Sequence, residues 1–234
     1  MIPKKIHYCW FGRGKKPKLA QKCITSWKKF CPDYEIIEWN EDNFNFVDYP
    51  YAQYFLEKKK YAFLSDFVRL IVVYEHGGLY FDTDVELLRA PDAFLNNGAY
   101  FGFENNDYVN TGHGFGAEAH HPALKAMLQP YLDMCPDENG DIHPIGCPML
   151  NTQALMMHGL QKSGLRQTVL EAEIYPADYF NPYDDSTGRL NKTPNTHSIH
   201  WYSKSALSKK QILRSKLTRP LHRIFGVDFF HRKR

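Results

Sequence analysis

The chain has 234 residues, of which 43% are hydrophobic, and this is enough to bury the core of one α/β domain. Five cysteines without a CxxC pair argue against a disulfide-based secreted domain. No run of about 18 apolar residues predicts a membrane span, and no signal-peptide pattern is present, so we expect a cytoplasmic protein with reduced thiols.

Charge is distributed unevenly along the chain. The net charge is +3, but residues 204–234 contain 10 Lys and Arg and one acid, whereas residues 1–203 contain 19 basic and 25 acidic residues. We therefore predict a catalytic domain over residues 1–205 and a basic amphipathic tail over residues 206–234 that contacts an anionic membrane peripherally. A solvated helix packed on the domain is the alternative, and no motif accompanies the charge to indicate nucleic-acid binding.

The first part of the chain predicts a βαβ unit. Short apolar strands are predicted at Lys5–Trp10 and Tyr34–Trp39, with an amphipathic helix at residues 17–30 between them and a second helix at residues 51–58. This order predicts a parallel pair with a right-handed crossover. Because ligands of open α/β sheets bind beyond the carboxyl ends of strands, Trp10 is a candidate for stacking on a nucleotide base, and a core or rim tryptophan is the alternative. His7 is predicted to be a core histidine.

Residues 61–75 predict a helix that is buried on most of its circumference. Ser65, Asp66 and Arg69 are the polar side chains in its middle, and Asp66 and Arg69, three positions apart, share one face. The Gly77-Gly78 pair is predicted to end the helix, since glycine adopts positive φ angles at no steric cost.

Two carboxylates follow a short strand predicted at residues 79–81. Asp82 and Asp84 lie two positions apart and therefore leave the strand on the same side. They repel each other unless water or a cation lies between them, and Mn²⁺ or Mg²⁺ would satisfy both and leave coordination positions for phosphate oxygens. The alternative is a solvated turn, because Asp-x-Asp by itself is common.

The wider pattern is Ser65-Asp66-x-x-Arg69 followed by Gly77-Gly78-x-Tyr80-x-Asp82-x-Asp84. It resembles the signature of family 32 glycosyltransferases, the DXD sugar transferases that include capsule and lipopolysaccharide enzymes and fungal mannosyltransferases; glucosylating toxin domains carry a similar signature. The resemblance implies a GT-A-like single α/β domain with a mixed, mainly parallel sheet. It also implies that the two aspartates hold a divalent metal on the diphosphate of a nucleotide sugar.

The same resemblance assigns further residues. Asp66 and Arg69 would contact the donor sugar and its nucleotide, with an intrahelical ion pair as the alternative. Ser65 and Tyr80 of the signature and Trp10 after the first strand join this predicted donor site.

Beyond the aspartates, strands are predicted at residues 85–88, 100–104 and 173–175, and helices at residues 122–132 and within residues 144–157. Residues 105–116, rich in glycine and asparagine, predict a loop whose backbone approaches a ligand, and residues 181–195 predict another loop. Asn110 and His113 are candidates for donor or acceptor contacts, with ordinary turn residues as the alternative.

The last candidate segment is Thr196–Ala206. The resemblance implies a histidine here that closes over the metal and the diphosphate, so His200 would ligate the metal or contact the β-phosphate, and Ser203 or Lys204 would contact the diphosphate. Ala206 stands where related enzymes have a tryptophan, so a lid tryptophan is either missing or supplied by Trp201.

Together these patterns predict a metal-dependent, retaining glycosyltransferase that uses Mn²⁺ or Mg²⁺. Its donor would be a nucleotide sugar, with UDP preferred by analogy, and its acceptor a saccharide or lipid-linked oligosaccharide in capsule, lipopolysaccharide or other surface-glycan synthesis. Two alternatives stay open, namely a non-catalytic sugar- or nucleotide-binding module of the same fold and a nucleotide-sugar hydrolase.

Overall fold

The computed structural model describes residues 1–203 and 209–226. Three sequence predictions lie outside these ranges: the diphosphate contact of Lys204, the substitution at Ala206, and the tail residues 207–208 and 227–234. The elements within the described ranges are β1 (Lys5–Cys9), α1 (Lys18–Phe30), β2 (Glu35–Trp39), α2 (Pro50–Glu57), α3 (Tyr61–His76), β3 (Gly78–Tyr80), β4 (Val85–Leu87), β5 (Ala99–Gly102), β6 (Phe115–Ala117), α4 (Pro122–Leu132), α5 (Cys147–Met156), β7 (Gln167–Val169), β8 (Ala172–Tyr175), β9 (Tyr183–Asp184), β10 (Arg189–Leu190), β11 (Ser198–His200) and α6 (Lys209–Phe225).

A seven-stranded mixed sheet with the order β2-β1-β3-β6-β5-β8-β7 forms the centre of the molecule. Strands β1 and β2 are parallel and joined through α1, which confirms the predicted βαβ unit. Strand β3 pairs in parallel with the other edge of β1. Strands β6 and β7 run against their neighbours, so five of the seven strands point in one direction, in agreement with the predicted mixed, mainly parallel sheet.

Helix α3 has more buried residues than any other helix in the described ranges, and it packs on the sheet beside β1 and β3. Its apolar residues from Leu64 to Val73 are almost completely buried, as the scarcity of polar side chains predicted. The helix ends at His76, and Gly77 has a φ of +61°. At Gly78 a Cβ atom would lie 2.9 Å from the carbonyl oxygen of Lys5, so only glycine lets β3 approach β1 this closely.

His7 in β1 is a core histidine, as predicted. Its ring is fully buried, with Nε2 2.9 Å from the carbonyl oxygen of Gly77 and Nδ1 3.0 Å from the donating Nε1 of Trp39. Burial lowers the pKa of His7 to about 4, so the ring is neutral at pH 7. It fixes the end of α3 to the first two strands and takes no part in the candidate site.

Several elements are absent from the sequence predictions. Strand β6 overlaps the predicted loop of residues 105–116, which is therefore wrong at its last two positions, and the β9–β10 hairpin lies inside the predicted loop of residues 181–195. Strand β6 is short and contains Gly116, where a Cβ atom would lie 2.6 Å from the ring of Tyr100. A strand of small residues that pack closely lacks the alternating hydrophobic pattern that predicts a strand, which explains why β6 was missed.

A separate antiparallel pair joins β4 to β11, with Ser198 opposite Leu87 and His200 opposite Val85. It brings the end of the domain to the residues that follow β3. The predicted tail is helical over α6, and in residues 1–203 and 209–226 no helix has both the length and the apolar content needed to cross a bilayer.

Candidate functional site

A cavity of about 550 Å³ opens where β1 and β3 end and α3 begins. This is the carboxyl edge of the parallel part of the sheet, where open α/β folds bind ligands. Nine predicted site residues line it, namely Trp10, Ser65, Asp66, Arg69, Asp82, Asp84, Asn110, His200 and Ser203.

Arg69 is the central cation of the cavity. Its side chain is 4% exposed, and its Nη2 donates to both carboxylate oxygens of Asp82 at 2.8 and 2.9 Å. Its Nη1 lies 2.8 Å from Oδ1 of Asp66. The ion pair within α3 therefore exists, but the same guanidinium also extends to the first aspartate of the Asp-x-Asp pair.

Two carboxylates share this one guanidinium, and the pKa values reflect it. Burial raises the pKa of Asp66 to about 6 although Arg69 opposes the shift, and burial likewise raises the pKa of Asp82 against the charge of Arg69. Burial alone would lower the pKa of Arg69, but the two carboxylates raise it well above its usual value, so the guanidinium stays charged. Arg69 is thus a fixed positive charge between two carboxylates.

Tyr80 holds Asp82 through a hydrogen bond. Its hydroxyl donates to Oδ1 of Asp82 at 2.9 Å, and its ring lies under the guanidinium of Arg69, 5.3 Å from centroid to Cζ. The side chain is 1% exposed and does not line the cavity. Tyr80 therefore acts on Asp82, and its predicted donor contact is not a direct one in this arrangement.

Asp84 is held by residues from the far end of the domain. Its Oδ1 lies 3.2 Å from Nε2 of His200, and its Oδ2 accepts from the backbone N–H of Ser203 at 2.6 Å. Burial would raise the pKa of Asp84, but the charge of His200 and these hydrogen bonds hold it below its usual range. Burial lowers the pKa of His200, and the charge of Asp84 more than compensates, so the net shift is upward.

Asp82, Asp84 and His200 form a group that fits a divalent metal ion. One ligand atom from each residue lies within 4.8 Å of the others, and all three side chains are largely buried. Carboxylate oxygens suit Mn²⁺ and Mg²⁺, and an imidazole nitrogen suits first-row transition metals, so the mixed donor set fits Mn²⁺ better than Mg²⁺. Nδ1 of His200 is buried and has no hydrogen-bond partner among the described residues.

Gly112 lets the loop after Asn110 cross directly over Asp82. A Cβ atom at Gly112 would lie 2.8 Å from Oδ2 of Asp82, and the side-chain oxygen of Asn110 accepts from the N–H of Gly112 at 2.6 Å. His113, by contrast, is fully buried outside the cavity lining, and neither ring nitrogen has a partner within the described residues. Of these two predicted contacts, only Asn110 is placed where a ligand can reach it.

Trp10 forms the opposite rim of the cavity. Its Nε1 donates to the carbonyl oxygen of Gly14 at 2.7 Å, and its ring also lines a smaller neighbouring cavity of about 270 Å³. Nζ of Lys16 lies 5.4 Å from the ring centroid. The indole is thus held by its own loop on the cavity rim, where a flat base could stack.

The cavity residues that the sequence reasoning missed include Cys147 and Tyr202. Sγ of Cys147, at the start of α5, lies 3.4 Å from Nη1 of Arg69 and 3.1 Å from Oγ1 of Thr111, and burial raises its pKa to about 11. Tyr202 lines the cavity with its ring 4.1 Å from that of His200. No local sequence pattern predicts either contact, because both contacts join segments that are far apart in the chain.

Trp201 does not line the cavity. Its Nε1 donates to Glu86 at 2.8 Å, and its ring packs against Tyr183 on the domain surface. The aromatic side chain over the site is instead its neighbour Tyr202, which has a φ of +50° and donates its hydroxyl to Glu104 at 3.0 Å.

Comparisons with known proteins agree with this arrangement. Residues 17–100 match the family described as "Glycosyltransferase sugar-binding region containing DXD motif". Inositol phosphoceramide mannosyltransferase 3 of Schizosaccharomyces pombe is 31% identical over 107 residues. These matches support a glycosyltransferase family. The alignment covers 42% of this chain and only 29% of that relative, so the chain spans less than a third of the mannosyltransferase's length.

Similarity to a solved structure shows the fold. PaToxG glycosyltransferase superimposes with a TM-score of 0.53 at 17% identity, over 67% of this chain and 69% of that chain. A glycosyltransferase involved in the glycosylation of the major capsid of PBCV-1 covers 91% of this chain and 98% of that chain, at 12% identity and a TM-score of 0.47. The chain has the predicted GT-A-like α/β fold.

Proposed function

We propose that the protein is a metal-dependent glycosyltransferase that moves a sugar from a nucleotide sugar to a saccharide acceptor. The observation that carries this proposal is the placement of Asp82, Asp84 and His200 within 4.8 Å of one another, facing a cavity beside Arg69. A volume of about 550 Å³ is in the usual range for a small-molecule site.

The two aspartates and His200 would hold Mn²⁺ or Mg²⁺. When bound, such an ion neutralises the negative charge that develops on the departing diphosphate. The match to a DXD-containing family over residues 17–100 supports this assignment, because Asp82 and Asp84 are the Asp-x-Asp of the matched region.

Arg69 and Asp66 orient the donor. Arg69 is fixed at both nitrogens of its fork, so it holds Asp82 in one orientation and presents little freedom of its own. Asp66 is 16% exposed on the cavity wall, where a sugar hydroxyl can donate to it. Fixing the sugar in this way turns the anomeric carbon toward the acceptor and lowers the entropic part of the barrier.

Trp10 and Ser203 define the two ends of the donor in this proposal. The Trp10 indole lies on one rim and would stack on the base, and Ser203, whose backbone N–H donates to Asp84, would contact the diphosphate. The donor would lie across the cavity from β1 to the segment after β11.

We further propose a retaining transfer by front-face attack, assisted by the leaving phosphate. Three carboxylates line the cavity, and each is engaged: Asp66 and Asp82 by Arg69, and Asp84 by His200 and Ser203. A carboxylate neutralised in this way is a poor covalent nucleophile, which favours the front-face route over a double displacement.

The substrate class is a finer proposal. By its resemblance to family 32 enzymes we assign the protein a UDP-sugar donor and a saccharide or lipid-linked oligosaccharide acceptor in the synthesis of capsule, lipopolysaccharide or another surface glycan. The basic helix α6 supports action at the cytoplasmic face of a membrane, with peripheral contact, where such lipid-linked acceptors are held.

The test is calorimetric titration of UDP- and GDP-sugars into the protein with and without Mn²⁺. We expect one donor to bind only with metal, and binding to be lost in Asp84→Ala but kept in Asp107→Ala, a surface control. Product analysis with the bound donor then separates transfer to an added saccharide from hydrolysis. Metal-independent binding, or no binding of any nucleotide sugar, would contradict the proposal.

A further inference from the structure

Helix α6 rests on the domain through its polar face. Arg219 donates to the carboxylate and to the carbonyl oxygen of Asp185 at 2.7 and 3.0 Å, and Arg223 donates to the carbonyl oxygens of Thr187 and Gly188 at 2.5 and 3.1 Å. All these acceptors belong to the turn of the β9–β10 hairpin. The helix is therefore fixed in rotation by two arginines on one side.

Four apolar side chains of α6 point away from the domain. Leu213, Leu217, Leu221 and Ile224 are 59%, 68%, 38% and 72% exposed within the described part of the chain. At 3.6 residues per turn these four positions fall within a stripe about 80° wide. A helix on the surface of a soluble protein normally turns such a stripe toward the core, and here the orientation is reversed.

Basic residues border this stripe. Helix α6 contains six Lys and Arg and no Asp or Glu, and the exposed side chains of Lys210 and Arg214 lie at the N-terminal edge of the stripe. An apolar stripe bordered by positive charge matches an anionic lipid surface, which accepts the apolar side chains and attracts the basic ones. A symmetric contact with α6 of a second copy would instead bring twelve positive charges together.

We propose that this stripe, Leu213, Leu217, Leu221 and Ile224 with Lys210 and Arg214 at its edge, docks on an anionic membrane surface. The proposal deepens the proposed function and rests on it for its purpose, since it would hold the cavity near a lipid-linked acceptor. The binding itself depends only on α6 and its hairpin.

The hairpin also connects the docking surface to the cavity. The guanidinium of Arg219 lies 5.8 Å from the ring centroid of Tyr183, and the Tyr183 ring packs on Trp201, 5.4 Å between centroids. Trp201 lies between the cavity residues His200 and Tyr202 in the chain. The lipid-facing helix is thus two side-chain contacts away from the segment that covers Asp84.

The experiment is sedimentation of the full chain with vesicles of phosphatidylcholine and phosphatidylglycerol in equal parts, and with vesicles of phosphatidylcholine alone. We expect binding to the anionic vesicles that weakens with salt. The double variant Leu213→Asp/Leu217→Asp should lose at least about tenfold in partition, because it removes two apolar contacts and adds two negative charges. Arg214→Glu should reduce vesicle binding less than the double variant does, and only at low salt.

Leu165→Asp is the matched control, since Leu165 is 68% exposed on the body of the domain, and it should bind vesicles like the wild type. Circular dichroism and donor titration confirm that each variant is folded. Equal binding by the double variant and the wild type, no binding by the wild type, or a wild-type dimer that the double variant dissolves would each overturn the proposal. Failure of every nucleotide sugar to bind would contradict the proposed function and leave the vesicle result standing.

Discussion

The two aspartates of the motif are two positions apart, yet they belong to different parts of the fold. Asp82 belongs with Arg69 and Asp66 in a cluster built from α3 and β3, which we call the Arg69 side. Asp84 belongs with His200 on what we call the His200 side, whose partners come from more than a hundred residues further along the chain. Their pKa values shift in opposite directions, upward for Asp82 and downward for Asp84.

This difference shows how one motif can combine two tasks. The Arg69 side is buried, locally built and rigid, and it orients groups. The His200 side is completed by the β4–β11 pairing, and it contributes the carboxylate that stays ionised at all physiological pH values. A metal between the two sides would take Asp82 from the Arg69 side and both Asp84 and His200 from the His200 side.

The largest effect is expected for a substitution of Arg69. Arg69→Met leaves Asp66 and Asp82 buried without their cation, and removing one partner of a buried ion pair costs about 3–5 kcal/mol. We expect this loss in the free energy of unfolding, measured by urea denaturation. Arg13→Met, which breaks an exposed ion pair with Asp42, should change it by less than about 1 kcal/mol. Equal stability of the two variants would show that the Arg69 side is not the rigid wall described here.

The His200 side should respond in metal affinity more than in stability. His200→Ala removes one of the three proposed ligands, and we expect Mn²⁺ affinity to fall by at least about 10-fold, since a change in an outer-shell partner alone costs about 10–100-fold. Titration of Mn²⁺ followed by calorimetry measures this directly. His143→Ala is the control, since its side chain is 79% exposed. Unchanged Mn²⁺ affinity in His200→Ala would remove His200 from the site and leave the aspartates alone.

The last effect concerns the pH dependence of the Arg69 side. Because the pKa of folded Asp66, about 6, lies above its usual 3.8, the folded protein binds more protons than the unfolded chain between these values. The contribution of Asp66 to stability is therefore present below about pH 4 and is lost as the pH rises through 6. The expected size is on the order of 1–3 kcal/mol.

We expect Asp66→Asn to remove this component. The free energy of unfolding of the variant minus that of the wild type should therefore rise from pH 4 to pH 6.5 in metal-free buffer. Urea unfolding at several pH values measures the difference. Asp107→Asn, a change on an exposed loop, should give a flat difference curve. A flat curve for Asp66→Asn as well would mean that Arg69 keeps Asp66 ionised throughout.

Sequence reasoning found the Arg69 side more completely than the His200 side. Helix α3 shows its burial in its composition, and the spacing of Asp66, Arg69 and Asp82 follows from helix and strand geometry that a local window contains. The bounds of α4 were predicted as observed, and the βαβ unit was predicted to within one or two residues. These predictions rest on local sequence patterns, and the observed elements differ from them little.

The remaining site residues depend on contacts between segments far apart in the chain, which no local stretch of sequence contains. His200 was reached through a family resemblance, but its pairing through β11 with β4 could not be read from three residues without alternation. Cys147 and Tyr202 were missed for the same reason, since each enters the cavity from a separate segment. The tail was predicted in part: its helix is present, but composition alone did not show that Arg219 and Arg223 face the domain while the leucines face outward.

The pairing of β4 with β11 has a consequence for the order in which the molecule is made. During synthesis Asp82 and Asp84 leave the ribosome long before His200, and the βαβ unit and α3 can assemble while the third ligand has not yet been translated. If Asp82, Asp84 and His200 hold the proposed metal, its high-affinity capture would have to wait for the last part of the domain. A tightly bound ion would serve as a mark of a finished chain, and an interrupted or clipped product would carry the motif without holding the metal.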